Sequence, residues 1–141
     1  MSIDNKDNKI IEELKRDSRS SIRDIAKKTS IRPSTVHQRI TKLKENGIIE
    51  KFTVKLNNKL VEENFIVFMF VNTEENLDQT FFKNKYIKEA FGITGEYDLL
   101  LKLKFKDVEE FNDFVIEFRK KHPVAKTITM VGTITLKEEL N

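Results

Sequence analysis

Seven consecutive apolar residues, Phe65-Ile66-Val67-Phe68-Met69-Phe70-Val71, constrain this chain more than any other stretch. A run this short, rich in aromatic and β-branched side chains, predicts a strand rather than a helix. Side chains of a strand alternate between two faces, so a strand that is apolar throughout needs cover on both. Helices of the same chain can cover one face, and a partner subunit is the simplest cover for the other. The run is far shorter than the roughly 18 apolar residues that read as a membrane span, and no longer one occurs.

The residues after the run extend the pattern. Asn72 to Tyr86 predicts a helix with Leu77, Phe81 and Phe82 inward. Ile87 to Thr94 predicts a short strand leading to Gly95, and Tyr97 to Phe105 another strand. Val108, Phe111, Phe114, Val115 and Phe118 mark an amphipathic helix that starts at Asp107. His122-Pro123 ends it, because proline cannot continue the hydrogen-bond ladder. Val124 to Leu136 predicts the last strand. The order βαββαβ is that of an α+β ferredoxin-like sandwich, with helices on one face of an antiparallel sheet. The other face would show Phe, Ile and Val to water, which makes it a surface for association.

The residues before the run read differently. Ile10, Ile11 and Leu14 have helical spacing, with Asp4 as N-cap and Asp7 in the first turn. Ser21 and Asp24 fit a capping box for a short helix whose inner side is Ile22, Ile25 and Ala26. Pro33 suits the first position of a third helix, with a stripe at Val36, Ile40 and Leu43 and a stop at Asn46-Gly47. Ile48 to Val54 then predicts a strand. Three short helices, the last two about four residues apart, are helix-turn-helix geometry, here winged-helix-like. The predicted organisation is 1–54 as a DNA-binding domain, 55–64 as a polar hinge and 65–141 as a dimerisation and sensing domain.

The third helix carries the chemistry. Opposite its apolar stripe stand Ser34, Gln38, Thr41 and Lys42, flanked by Thr35, His37 and Arg39. These side chains can donate to base edges and phosphates. Arg39 lies nearer the core than Gln38, so it can also pair with a carboxylate such as Asp24. Residues 1–55 hold 14 Lys and Arg against 8 Asp and Glu, and residues 56–141 hold 12 against 15. The positive excess therefore belongs to the first part alone, which points to a polyanion there. A three-helix bundle with a solvated lysine-rich surface would share these features.

Catalysis finds little to work with. There is no Cys, and His37 and His122 are the only two His. That leaves neither a thiolate nor a His cluster for a metal, and no base poised beside a nucleophile. Glu109, Glu110 and Asp113 fall on the outer side of their helix. The expectation is a non-enzyme without cofactor or metal. The polar N-terminus lacks the apolar stretch of a secretory signal, so a cytoplasmic location is expected.

The ordered residues Ile3-Asp4, Asp7, Ile10-Ile11, Leu14, Asp17-Ser18-Arg19, Ile25-Ala26, Ser34-Thr35-Val36, Arg39-Ile40, Leu43 and Asn46-Gly47-Ile48-Ile49 resemble the N-terminal signature of the Lrp/AsnC transcription regulators of bacteria and archaea. Gly95-Glu96-Tyr97-Asp98 resembles a turn of that family's sensing domain, so the likeness spans nearly the whole chain. Lys outnumbers Arg by 20 to 6, a bias that suits an AT-rich genome and an archaeal member. One departure stands out: where the family has Gly-Leu-Ser this chain has Ser30-Ile31-Arg32, and arginine cannot accept an amide hydrogen bond as a cap. Arg32 can instead reach a phosphate.

The resemblance implies regulation of transcription through double-stranded DNA. It implies contacts from Arg32, Ser34, Thr35, His37, Gln38, Arg39 and Lys42 to a pseudo-palindromic operator. It further implies a homodimer built through the sheets, assembly into tetramers or octamers, contact with the transcription machinery, and an amino acid or related effector at Thr94, Gly95, Glu96, Tyr97 and Asp98. In the effector reading, Asp98 or Glu96 takes the α-ammonium and amides near Gly95 the carboxylate. The same turn also reads as a structural hairpin. Two other functions stay open: an architectural protein that coats DNA with little sequence preference, and an amino-acid-binding regulatory subunit.

Overall fold

The computed structural model describes residues 2–122 and 124–140. The chain divides into two compact units, the first running to Lys55 and taking in the residues from Glu139 onward, the second Leu56–Glu138.

The first unit holds α1 (Asn5–Arg16), α2 (Ile22–Thr29) and α3 (Pro33–Glu45). Asp4 caps α1 in a full capping box with Asp7, whose carboxylate returns to the Asp4 amide. At α2 the box expected of Ser21 and Asp24 shows one arm, the Ser21 hydroxyl accepting from the Asp24 amide at 3.0 Å. Ser30 then turns the chain in the left-handed region (φ 58°), and the Ile31 amide donates back to the Ala26 carbonyl. Ile10, Ile25, Ala26, Ile31 and Val36 form the core between the helices, with Leu14, Ile22 and Ile40 packed against it.

The strand expected over Ile48–Val54 does not form. Backbone amides of Ile48 and Ile49 both donate to the Leu43 carbonyl, at 2.9 and 3.0 Å, and so finish α3 instead. Residues 51–57 run on without a ladder partner among the described residues.

In the second unit, β1 (Phe65–Thr73), β2 (Ile87–Gly92), β3 (Leu99–Phe105) and β4 (Val124–Val131) make one antiparallel sheet in the order β2-β3-β1-β4. The apolar run lies in an inner strand, as its composition demands. α4 (Val108–Lys121) crosses one face behind the Asp107 N-cap. Val67, Met69, Val71, Leu101, Leu103 and Phe105 point to that face and pack with Phe81, Phe114 and Phe118. The α+β class and the sandwich topology are as expected, and one element is not. Asn72 to Tyr86 holds no α-helix, only a short 3₁₀ turn at Phe81–Lys83. The Asp78 carboxylate accepts from the amides of Thr80 and Phe81 and from the Thr80 hydroxyl, and Asn84 accepts from the Tyr86 amide. Such local side-chain bonds give the backbone an alternative to the helix. Leu77 and Phe81 still reach the core. The strands are also shorter than expected: β2 ends at Gly92, β3 begins at Leu99 and β4 ends at Val131. α4 ends at Lys121, and the expected stop residue Pro123 lies outside the described residues.

The second face of the sheet is partly roofed. Beyond β4 the Gly132 amide donates to the Ile66 carbonyl at 2.8 Å, and the chain leaves the ladder. Glu138 then meets Lys102 at 2.6 Å, Lys104 at 3.0 Å and Asn58 at 3.0 Å. Together these contacts hold the Glu138 carboxyl down to about 2, the Lys102 hydrogen bond contributing most. Elsewhere on that face Phe68, Phe91, Ile128 and Met130 are each more than one-third exposed.

Candidate nucleic-acid interface and effector turn

α3 is built so that one side anchors and the other faces solvent. Val36 and Leu43 are fully buried and Ile40 partly so, and Val36 and Ile40 pack into the core shared with α1 and α2. Arg32, Ser34, His37, Gln38, Thr41 and Lys42 are exposed, and Thr35 is half-buried at the edge. The exposed residues share one face, as the spacing predicts. Thr41 is partly committed, its hydroxyl donating to the His37 carbonyl at 3.0 Å. Arg32 occupies the N-cap without a side-chain hydrogen bond, as expected for a residue that has only donors.

Arg39 departs from the group. Its guanidinium turns toward α1, where Nη1 donates to Asp4 at 2.5 Å and Asp7 at 3.1 Å. The partner is thus the cap of α1 and not Asp24, which α2 keeps exposed in its own first turn. Asp4 is held at about 2, first by the Asp7 amide and then by Arg39. Arg39 in turn is pushed further toward its charged form by Asp4 and Asp7. No sequence periodicity links positions 32 and 35 residues apart, so the pairing leaves no signature in the sequence.

The candidate effector residues Thr94, Gly95, Glu96, Tyr97 and Asp98 form the β2–β3 connection. Gly95 has φ 113°, a conformation that side chains other than hydrogen rarely take. Asp98 ties the turn to β1: its amide donates to the Val71 carbonyl at 3.0 Å and its carboxylate accepts from the Thr73 amide at 3.0 Å. Glu96 pairs with Lys126 at 2.6 Å, which lowers the carboxyl and raises the lysine. Lys126 Nζ lies 5.1 Å from the centre of the Tyr97 ring. The Tyr97 ring is buried 5.8 Å from Phe70. Its hydroxyl is buried and makes no hydrogen bond of good geometry among the described residues, although Lys126 is close enough to interact with it. Thr94 is exposed at the edge. Both acids expected to greet an ammonium are therefore already engaged, and Lys126, which no sequence motif marks, joins the cluster from β4. Clefts of about 260 and 370 Å³ occur on the second unit, and neither is lined by Thr94–Asp98.

Among the described residues no group of three or more His, Cys, Asp or Glu could hold a metal ion. Among the same residues no helix is long and apolar enough to cross a membrane.

Comparison with known proteins agrees with both halves of this geometry. A winged helix-turn-helix DNA-binding family matches residues 3–50, and the Lrp/AsnC ligand binding domain matches residues 67–141. An HTH-type transcriptional regulator of Pyrococcus furiosus is 36% identical over 146 residues, covering 98% of this chain and 97% of that protein. An AsnC family transcriptional regulator from Agrobacterium tumefaciens shares the fold with a TM-score of 0.92 at 21% identity, over 98% of this chain and 95% of the other. A transcriptional regulator of Neisseria meningitidis, solved in complex with L-methionine, does so with a TM-score of 0.89 at 23% identity, over 99% and 95%. A domain match that spans more than half of the sequence, and a regulator related along nearly all of it, place this chain in the Lrp/AsnC family of helix-turn-helix transcription regulators.

Proposed function

We propose that the chain regulates transcription as a homodimer whose two copies of α3 enter successive major grooves of a pseudo-palindromic operator, and that it does so without catalysing a reaction. Residues 1–54 serve DNA binding, 55–64 form the hinge, and 65–141 serve dimerisation and sensing. Arg32, Thr35, His37 and Lys42 contact phosphates, while Ser34 and Gln38 face base edges. The observation that carries this reading is the acid-free outward face of Ser34, His37, Gln38, Thr41 and Lys42 on a helix anchored from the other side by Val36 and Leu43.

The open face of the sheet, with Phe68, Phe91, Ile128 and Met130, supports dimerisation, since apolar area of that kind associates in water. Dimers assembling further into tetramers or octamers belong to the same proposal, as does contact with the transcription machinery. An amino acid or related metabolite is the proposed effector at Thr94–Asp98. The Neisseria meningitidis neighbour in complex with L-methionine supports that class of ligand. Acting on chromosomal DNA places the protein in the cytoplasm.

Selection of bound fragments from genomic DNA by the purified chain, repeated with each amino acid added, tests the whole. One enriched palindromic motif, shifted in affinity by an amino acid, is the expected result. Tight binding without any motif would replace this reading with an architectural protein. No binding at low salt would leave the amino-acid-binding subunit.

A further inference from the structure

The N-terminal cap of α1 and the middle of α3 are joined through three charged side chains. The Asp4 carboxylate accepts from the Asp7 amide and from Arg39, and the Asp7 carboxylate accepts from the Asp4 amide and from Arg39. Each of the four carboxylate oxygens therefore has a donor. Asp7 is 1% exposed and the Arg39 side chain 27%, so the pair lies at the protein's inner edge and not on the outward face of α3. The N-terminus of α1 carries positive dipole charge, which by itself would repel a guanidinium. Two carboxylates placed there reverse the sign and make that end a socket for Arg39. A buried carboxylate left without a partner is costly, so the socket and the cation hold one another.

Arg39 sits one residue after Gln38 and three before Lys42, on the same two turns of helix. Fixing its side chain against α1 therefore fixes the rotation of α3 about its own axis. Val36 and Leu43 anchor the inner side of the helix, and the charged hydrogen bonds of Arg39 add a directional tie to that packing.

We infer that Asp4 and Asp7 are positioning residues for DNA reading, gripping Arg39 so that α3 presents Ser34 and Gln38 at a fixed angle, and that Arg39 acts through this grip and not on a phosphate. The inference rests on the reading of α3 as the DNA-contacting helix.

The test compares the full-length chain with Asp4→Asn, Asp7→Asn, Arg39→Gln and Lys42→Gln, measuring affinity for the selected operator and for unrelated duplex across a range of salt. Asp4→Asn is the gentlest variant, because asparagine caps a helix about as well as aspartate and only the charged grip is weakened. The grip predicts that Asp4→Asn, Asp7→Asn and Arg39→Gln each lose roughly tenfold in operator affinity, the size of one lost base contact, while binding to unrelated duplex is retained. It also predicts an unchanged salt slope for all three, and a double variant of Asp7 and Arg39 no worse than the worse single one. Lys42→Gln is the internal control and lowers the slope by about 0.9, the value of one phosphate contact. If Arg39→Gln lowers the slope by about that amount while the two aspartate variants bind as the parent does, Arg39 is a phosphate contact and the inference fails. Should Asp7→Asn lose helical circular dichroism, Asp4→Asn decides alone, and parent-like discrimination in it overturns the inference. A parent chain that binds no duplex overturns the reading of α3 itself.

Discussion

Replacing Arg32 by serine should make α3 more stable. Asp4, Ser21 and Asp107 each accept a hydrogen bond from the first turn of the helix they cap. Of the α-helices among the described residues, α3 alone begins without one, although Arg32 has an N-cap backbone (φ −59°, ψ 139°). Pro33 has no amide to satisfy, so the orphan donors at this end are the amides of Ser34 and Thr35. A serine hydroxyl at position 32 can take the Thr35 amide. Restoring a cap is worth about 1 kcal/mol. That would slow exchange of the Thr35 amide by about fivefold wherever opening of the first turn governs exchange. Native-state hydrogen exchange of the full-length chain, read at Ser34 and Thr35, measures it directly. The same change removes a positive charge from the outward side of α3, so the salt slope of DNA binding should fall by about 0.9 if position 32 meets a phosphate. Unchanged or faster exchange at Thr35 would show that something other than a missing acceptor sets the stability of this helix start.

Three further outcomes rest on the packing. Leu43→Ala opens a fully buried site in the first unit and should cost about 2–5 kcal/mol, seen as a lower denaturation midpoint and lost operator binding. Glu138 titrates near 2 when folded against an ordinary 4.5, so its contribution is present above about 4.5 and is lost as the pH falls toward 2. Glu138→Gln should therefore flatten the acid limb of a stability–pH curve, and an unchanged limb would contradict the ion cluster. Phe68→Glu puts a charge on the open sheet face and should shift the chain to monomer in analytical ultracentrifugation. A dimer that survives it would place the subunit interface elsewhere.

α3 was legible because its signals are local. Pro33 starts it, Asn46-Gly47 ends it, and Val36, Ile40 and Leu43 say which side faces in. The sheet was legible for a related reason: Phe65–Val71 has few ways to be buried. Two segments misled. Asn72–Tyr86 has helical spacing at Leu77 and Phe81, but Asp78 and Asn84 bind their own neighbouring amides and win the backbone. Ile48–Val54 has the composition of a strand, yet a strand also needs a ladder partner, which composition does not provide. In the candidate sites the outward residues of α3 were legible, whereas the partners that arrive from afar were not. Arg39 meets a cap from the start of the chain, and Lys126 crosses from β4 to Glu96 and Tyr97.

Two tyrosines and no tryptophan also give the molecule a private optical vocabulary. Tyr86 is stacked on Phe105 at 4.8 Å in the core behind the sheet, and Tyr97 lies beneath Lys126 at the turn. The helical half up to Lys55 contains neither fluorophore. Intrinsic tyrosine emission therefore reports on the sheet half alone, where a metabolite that disturbs Lys126 would change the quantum yield of one of only two emitters. Melting of the three helices of the first unit would pass unseen in the same cuvette.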